Sequence, residues 1–468
     1  MSLIDKRLPA SFRDPNGFMY QKNGKLLRQI NLTSKEDYNL LISSGLYKKL
    51  LKKNMLISHV DVDVLPFIPE VSYKIIQPEK IKFISYPYEW SFSQLKDAAL
   101  LTLAIQKEAL NHGMQLRDAS AYNIQFHLGS PILIDTLSFT EYHEGDIWVA
   151  YRQFCQHFLS PLALMSQTDF RLSKLLQIYI DGIPLDLSSK LLPWTTWLNF
   201  GLFSHIHLHA KSQQHYSNTS DKEISLKTRK KMSISKIALT GLIESLEKTV
   251  ERLTWKISKT EWADYYNATN YSDASFEEKK QIVGSMLKEI SPNIIWDLGS
   301  NTGLFSKLAS DFENCLAVSA DIDPGAVELN YLECKKNQSK DILPLILDLT
   351  NPTPAIGWKN EERESFFQRG PVDVVLALAL VHHLAIANNV PLEDISCMMA
   401  SLGKYVIIEF VPKEDSQVKR LLSSREDIFE NYNDQGFIKA FQHDFELLDQ
   451  VQVTGTYRTI FLFKRKNF

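Results

Sequence analysis

The stretch Ile294-Ile295-Trp296-Asp297-Leu298-Gly299-Ser300-Asn301-Thr302-Gly303-Leu304-Phe305 reads as a buried strand, a tight glycine turn and the first residues of a helix. A turn of this kind, at the carboxyl end of a strand, is where doubly wound sheets bind ligands. Dinucleotide folds use Gly-x-Gly-x-x-Gly so that backbone can approach a pyrophosphate, and here Asn301 stands where the second glycine would be. The turn therefore disfavours a pyrophosphate. It leaves Gly299 and Gly303 as the cradle for a ligand without phosphates.

On either side of this turn the text is periodic. Residues 293–298, 315–322, 342–347, 372–380 and 404–410 read as five buried strands, separated by stretches long enough for crossover helices, the grammar of a parallel α/β sheet. Residues 445–453 and 456–464, with Thr454-Gly455 between them, read as a hairpin that adds antiparallel strands to the sheet edge. Asp321 closes the second strand, where a carboxylate can accept both hydroxyls of a ribose, and Asp323 is the alternative two residues on. Asp348 and Leu349 follow the third strand and offer an acceptor beside an apolar side chain, suited to the amino group and ring of adenine. His382 and His383 end the fourth strand beneath the same crevice; they are the catalytic candidates, against a packing or hydrogen-bonding role at a strand end.

Together these residues resemble the class I S-adenosylmethionine (SAM)-dependent methyltransferases, over about 275–466. The resemblance implies a Rossmann-like, seven-stranded, mostly parallel sheet with a terminal antiparallel hairpin. It implies SAM as cofactor, with Gly299, Asn301 and Gly303 lining its backbone, Asp321 at the ribose, Asp348 and Leu349 at the adenine, and Asp297 acting through the loop and the amino-acid end. Family members often cover the cofactor with an aromatic segment such as Trp262, Tyr265, Tyr266 and Tyr271, although most of those rings read more readily as hydrophobic anchors. The rival for a glycine turn in such a sheet, nicotinamide oxidoreduction, is opposed by Asn301 and the terminal hairpin.

The front half carries a different text. Residues 14–30 read as a hairpin, and Ser91 opens a capping box with Gln94 ahead of a helix running to about His112. Leu116-Arg117-Asp118 and then Asn123, with four residues between Asp118 and Asn123, keep the spacing of a kinase catalytic loop, and Asp135 follows an apolar strand. The resemblance implies a kinase-like α+β domain with a site at Asp118, Asn123 and Asp135. Leu116 in place of His, Leu137 in place of the glycine after Asp135, and a missing glycine-rich loop depart from that pattern. Three readings stay open: an active phosphotransferase, a degenerate binding domain, and a loop capped by Asp118. His205, His207 and His209 would share a face on a strand, but their surroundings read helical, and no metal site is expected.

The composition changes at 211–236, where Ser, Asn, Gln and Lys dominate; this tract divides the chain into 1–210, a linker, and 237–468. Its basic run Lys227-Thr228-Arg229-Lys230-Lys231 reads as solvated linker rather than a nucleic-acid contact. With 468 residues at roughly 100–200 per domain, more than one domain is required. A net charge of −3 advertises neither nucleic acid nor an anionic membrane. The cysteines, Cys155, Cys315, Cys334 and Cys397, lie too far apart in sequence to suggest a disulfide framework, which fits a reducing cytoplasm. No apolar run reaches bilayer length. The layout as a whole also resembles the bacterial host-specificity nodulation methyltransferases. What is expected is a methyltransferase whose front half recognises a small-molecule, glycan or protein acceptor, with a bifunctional enzyme and a non-catalytic scaffold as alternatives.

Overall fold

Strands β10 (Ile294–Leu298), β11 (Leu316–Asp321), β12 (Ile342–Ile346), β13 (Val372–Ala377) and β14 (Gly403–Phe410) form where the continuous apolar runs predict them. Both faces of such strands are covered, so each run is buried almost throughout rather than at alternate residues. The computed structural model describes residues 6–211, 233–257 and 272–466. With β15 (Phe445–Gln452) and β16 (Thr459–Arg465) the sheet has seven strands in the order β12-β11-β10-β13-β14-β16-β15. β10 to β14 pair in parallel, β16 pairs antiparallel to β14, and β15 antiparallel to β16. Only β16 therefore runs against the others. This is the expected fold class for the rear half.

Helix Asp273–Ile290 turns Val283, Met286 and Leu287 onto Ile295, Ala317, Val374, Ile407 and Leu462 of the sheet. Helix Asp434–Asp444 brings Phe437 and Phe441 against Phe461 and Phe463. Each such fully buried side chain contributes about 1.5–3 kcal/mol. One expected crossover helix does not form. Between β12 and β13 there are only short turns at Trp358–Asn360 and Phe367–Arg369, because Pro352, Pro354 and Gly357 interrupt any helical run.

The chain divides into two compact units, one of residues 1–256 with 356–363 and one of 257–355 with 364–468. The boundary thus falls later than the sequence suggested. Helix Lys236–Arg252, expected to lead into the rear domain, belongs to the first unit: its Glu247 pairs with Lys107, and Lys96 donates to the carbonyls of Glu251 and Leu253. Most of the expected linker and its basic run lie outside the described residues, as do Trp262, Tyr265, Tyr266 and Tyr271.

The first unit holds an antiparallel sheet of β1 (Lys6–Arg7), β2 (Gly17–Lys22), β3 (Lys25–Asn31), β4 (His59–Asp61) and β5 (Ser72–Pro78), in the order β1-β2-β3-β5-β4. Helix Phe92–Asn111 starts at the Ser91–Gln94 capping box and buries Leu95, Ala98, Leu103, Ile105 and Leu110. Next come β6 (Met114–Leu116), β7 (Ile124–His127), β8 (Ser130–Leu133) and β9 (Phe139–Glu141), with β6 paired to β9 and β7 to β8. The three histidines sit in a helix. His205 bonds Tyr151 and Ser245, His209 packs on Tyr151, and His207 bonds Ser189 and Thr196 on another side. They form no common metal site, and among the described residues no group of three metal-ligating side chains exists.

Candidate functional site

The glycine turn sits at the carboxyl ends of β10 and β11 and is pinned to the latter by backbone. The N–H groups of Gly299 and Ser300 both donate to the Ala320 carbonyl, at 2.8 and 3.0 Å. Asn301 takes the left-handed torsion a glycine would adopt, φ 50°, which asparagine tolerates because its short amide can bond locally; here Oδ1 accepts from Thr302 N–H at 2.8 Å. The substitution thus keeps the glycine turn and adds a polar side chain folded onto it. Gly303, φ 80°, has a second constraint: a Cβ there would lie about 2.4 Å from the Asn330 amide, which is bonded to Ser319. Packing against helix Pro324–Lys336, as well as torsion, demands this glycine.

Asp321 clamps the turn from the side. Its Oδ2 accepts Asn301 N–H at 2.7 Å and its Oδ1 accepts Asp323 N–H at 2.8 Å. Asp323 is the N-cap of the following helix, accepting Gly325 N–H at 2.7 Å on Oδ1, while its Oδ2 is buried. Asp297, wholly buried, accepts from Ser306 Oγ at 2.6 Å. Burial pushes the carboxyls of Asp297 and Asp321 up to about 6; Asp321 adds repulsion at the first and Asp323 at the second. Asp348 is half-buried at the end of β12 and caps Thr350 N–H at 2.8 Å, with Leu349 beside it. Ser300 Oγ, Asp323 Oδ2 and both ring nitrogens of His382 are buried without a hydrogen-bond partner among the described residues.

His382 and His383 follow β13 with ring centroids 4.1 Å apart. Burial, reinforced by His383, Arg458 and Lys279, holds the His382 imidazole neutral, well below its ordinary range. Around it stands a set of charges that sequence reasoning missed. Lys279 Nζ donates to Glu409 Oε2 at 2.6 Å, and Arg458 lies 3.7 Å from Glu409 and donates to Asp415 at 2.8 Å. All four side chains are buried. One signal was legible, since Glu409 is a charge set inside the apolar run that follows Lys404 in β14. Lys279 and Arg458 resemble any helical lysine or hairpin arginine.

In the first unit Asp118, Asn123 and Asp135 do come together. Asp118 bonds Asn123, Ser120 N–H and Gln153; Asn123 reaches Ser138, and Ser138 Oγ donates to Asp135 at 2.7 Å. Burial and then the nearby Asp135 push the Asp118 carboxyl up. Burial also opposes ionisation of Asp135, but the Arg28 guanidinium at 2.5 Å and bonds from Ser138 and Leu137 N–H outweigh it and hold that carboxyl low.

No family model matches the chain. Nodulation protein NoeA of Rhizobium meliloti (strain 1021) is 34% identical over 464 residues, 98% of this chain and 96% of that protein. The chain belongs to the NoeA family. Its likeness to NoeA covers both units. Among solved structures, magnesium protoporphyrin IX methyltransferase from Synechocystis PCC 6803 with bound SAH matches 41% of this chain and 84% of its own length, at 18% identity and a TM-score of 0.30. N-methyltransferase NodS from Bradyrhizobium japonicum WM9 matches 42% of this chain and 98% of its own length, at 12% identity and a TM-score of 0.31.

Proposed function

We propose that the second unit is a SAM-dependent methyltransferase. The observation that carries this reading is the Asp297–Gly303 turn clamped by Asp321 at the carboxyl ends of a seven-stranded sheet with one reversed strand. The residues fit the cofactor. Three buried carboxylates, Asp297, Asp321 and Asp323, surround the turn; they favour a cationic ligand and repel a pyrophosphate. Ser300 Oγ and Asp323 Oδ2 are buried groups awaiting polar partners. When bound, SAM supplies a methyl group on a positively charged sulfonium.

The protein's own contribution is positioning, exclusion of water and charge complementarity. Asp321 holds the turn and offers its carboxylate to the ribose, Asp348 and Leu349 form the adenine side, and Asp297 sets the negative field beneath the amino-acid end. His383, the less buried of the pair, accepts a hydrogen bond from the acceptor's proton-bearing atom and orients it, while His382, neutral and wholly buried, packs behind its ring. The acceptor is a small molecule, a glycan or a protein group. The first unit recognises it on a kinase-like scaffold, to which the convergence of Asp118, Asn123 and Asp135 lends support. Arg28 on Asp135 and the raised carboxyl of Asp118 argue for binding over phosphotransfer there. Calorimetry on the full chain with SAM, S-adenosylhomocysteine and NAD tests the reading: the first two are expected to bind, and binding of NAD alone would replace it with oxidoreduction. Incubation with label-carrying SAM and fractionated bacterial extract then identifies the acceptor.

A further inference from the structure

Residues 191–200 of the first unit, Leu191-Leu192-Pro193-Trp194-Thr195-Thr196-Trp197-Leu198-Asn199-Phe200, turn all their large apolar side chains but the buried Leu192 outward. Trp194 is 73% exposed, Leu198 79% and Phe200 77%, with Leu191, Trp197 and Leu208 also exposed. The local geometry explains it. Trp194–Leu198 is a single 3-10 turn, in which positions three apart eclipse, so Trp194 and Trp197 share one side while Thr196 is buried on the other. Pro193 before the turn and Asn199 after it hold the turn in place; the Asn199 side chain accepts Leu202 N–H and so starts the next helix. Trp197 stacks on His207 at 4.4 Å, and the Lys211 ammonium lies 4.7 Å over its ring.

Scattered exposed apolar residues need no explanation, but a concentrated group of this kind marks an interaction site. From 187 to 211 the sequence contains two lysines, Lys190 and Lys211, and neither Asp nor Glu. We propose that this aromatic turn docks the protein on an anionic lipid bilayer, with Trp194, Leu198 and Phe200 entering the headgroup boundary and Lys190 and Lys211 facing the lipid phosphates. Trp and Phe backed by lysine is the composition of interfacial anchors, in which the ring sits at headgroup level and the cation meets negative charge. A second copy of the chain is a poorer occupant, since a stable interface needs about 20–30 residues a side and this group has six. No helix among the described residues is long and apolar enough to cross a membrane, so the contact is peripheral. It departs from the sequence reading, which expected no membrane partner.

The test is co-sedimentation of the full chain with vesicles of equal parts phosphatidylcholine and phosphatidylglycerol, at low salt, beside vesicles of phosphatidylcholine alone. The wild type is expected to sediment with the mixed vesicles, more weakly with the neutral ones. Trp194→Ser/Phe200→Ser should reduce the bound fraction about tenfold or more, and Lys190→Gln/Lys211→Gln should remove most of the preference for the anionic lipid. Both pairs are at the surface, and unchanged circular dichroism and melting temperature establish that the variants are folded. Failure of the wild type to sediment, or equal binding by the folded aromatic variant, overturns the proposal. So does a wild-type dimer in solution that the aromatic variant converts to a monomer, which would assign the turn to a second copy.

Discussion

Replacing Asp297 with asparagine is expected to stabilise the second unit at neutral pH while it weakens SAM binding. Burial, aided by repulsion from Asp321 and opposed by Ser306 and Lys279, raises the Asp297 carboxyl from 3.8 to about 6. A raised carboxyl means that the folded protein holds the proton more tightly than the unfolded chain. The stability this confers is complete below the ordinary value and is lost as pH rises through about 6. At about 1.4 kcal/mol for each tenfold change in proton affinity, ionised Asp297 costs about 3 kcal/mol above pH ~7. Asparagine is isosteric and neutral, and its carbonyl can still accept the Ser306 hydroxyl. The gain should therefore be about 3 kcal/mol at pH ~7.5, roughly half of that at pH ~5, and should have largely disappeared by pH ~4. For a unit of this size the neutral-pH gain corresponds to a rise of roughly 6–12 °C in melting temperature. Differential scanning calorimetry of the full chain at the three pH values reads it directly, on the transition that SAM shifts. A lower melting temperature for the variant at neutral pH, or a gain that persists undiminished in acid, refutes the reasoning. So does unimpaired SAM affinity, because a charge retained against burial must serve the ligand.

Three further outcomes are expected. Asp321→Ala removes the acceptor of the Asn301 and Asp323 N–H groups, each bond to a charge being worth about 1.5–3 kcal/mol, so SAM affinity measured by calorimetry should fall at least about tenfold; Asp323→Ala as the more damaging change would move the ribose contact to that residue. Gly303→Val drives a side chain into Asn330 at a left-handed torsion, so SAM binding should be lost and the second unit should melt lower while the first keeps its melting temperature. Asp135→Ala leaves Arg28 buried and unneutralised by that carboxylate; the first unit should lose about 3–5 kcal/mol in denaturant titration with SAM affinity intact. Magnesium-dependent ATP hydrolysis that disappears in Asp135→Ala would instead make the protein bifunctional.

Several features of the site are legible in the sequence itself. The turn Asp297-Leu298-Gly299-Ser300-Asn301-Thr302-Gly303 could be placed because a strand, a tight turn and a helix start are neighbours in sequence, and Asp321 and Asp348 because each directly follows its own apolar strand. The role of Asp321 was legible only in part: its position at the strand end was, whereas its grip on Asn301 and Asp323 depends on the side-by-side pairing of β10 and β11. The sequence reads Gly303 as a ligand contact, whereas its stricter constraint is Asn330, from a helix that the sequence places only later.

The sequence by itself determined the parallel sheet, its terminal antiparallel hairpin, the capped helix at Ser91 and the ligand turn, because all of these rest on local torsions and on the periodicity of apolar residues, which act over a few neighbours. Tertiary structure alone decided where the units divide, what neutralises Asp135, and which charges surround His382. Lys279 meets Glu409 across 130 positions of chain, and Arg458 meets Asp415 across 43. A buried charge is stable only beside its partner, and that partner is chosen by the folding of distant segments into one low-dielectric space, which no local pattern in the sequence records.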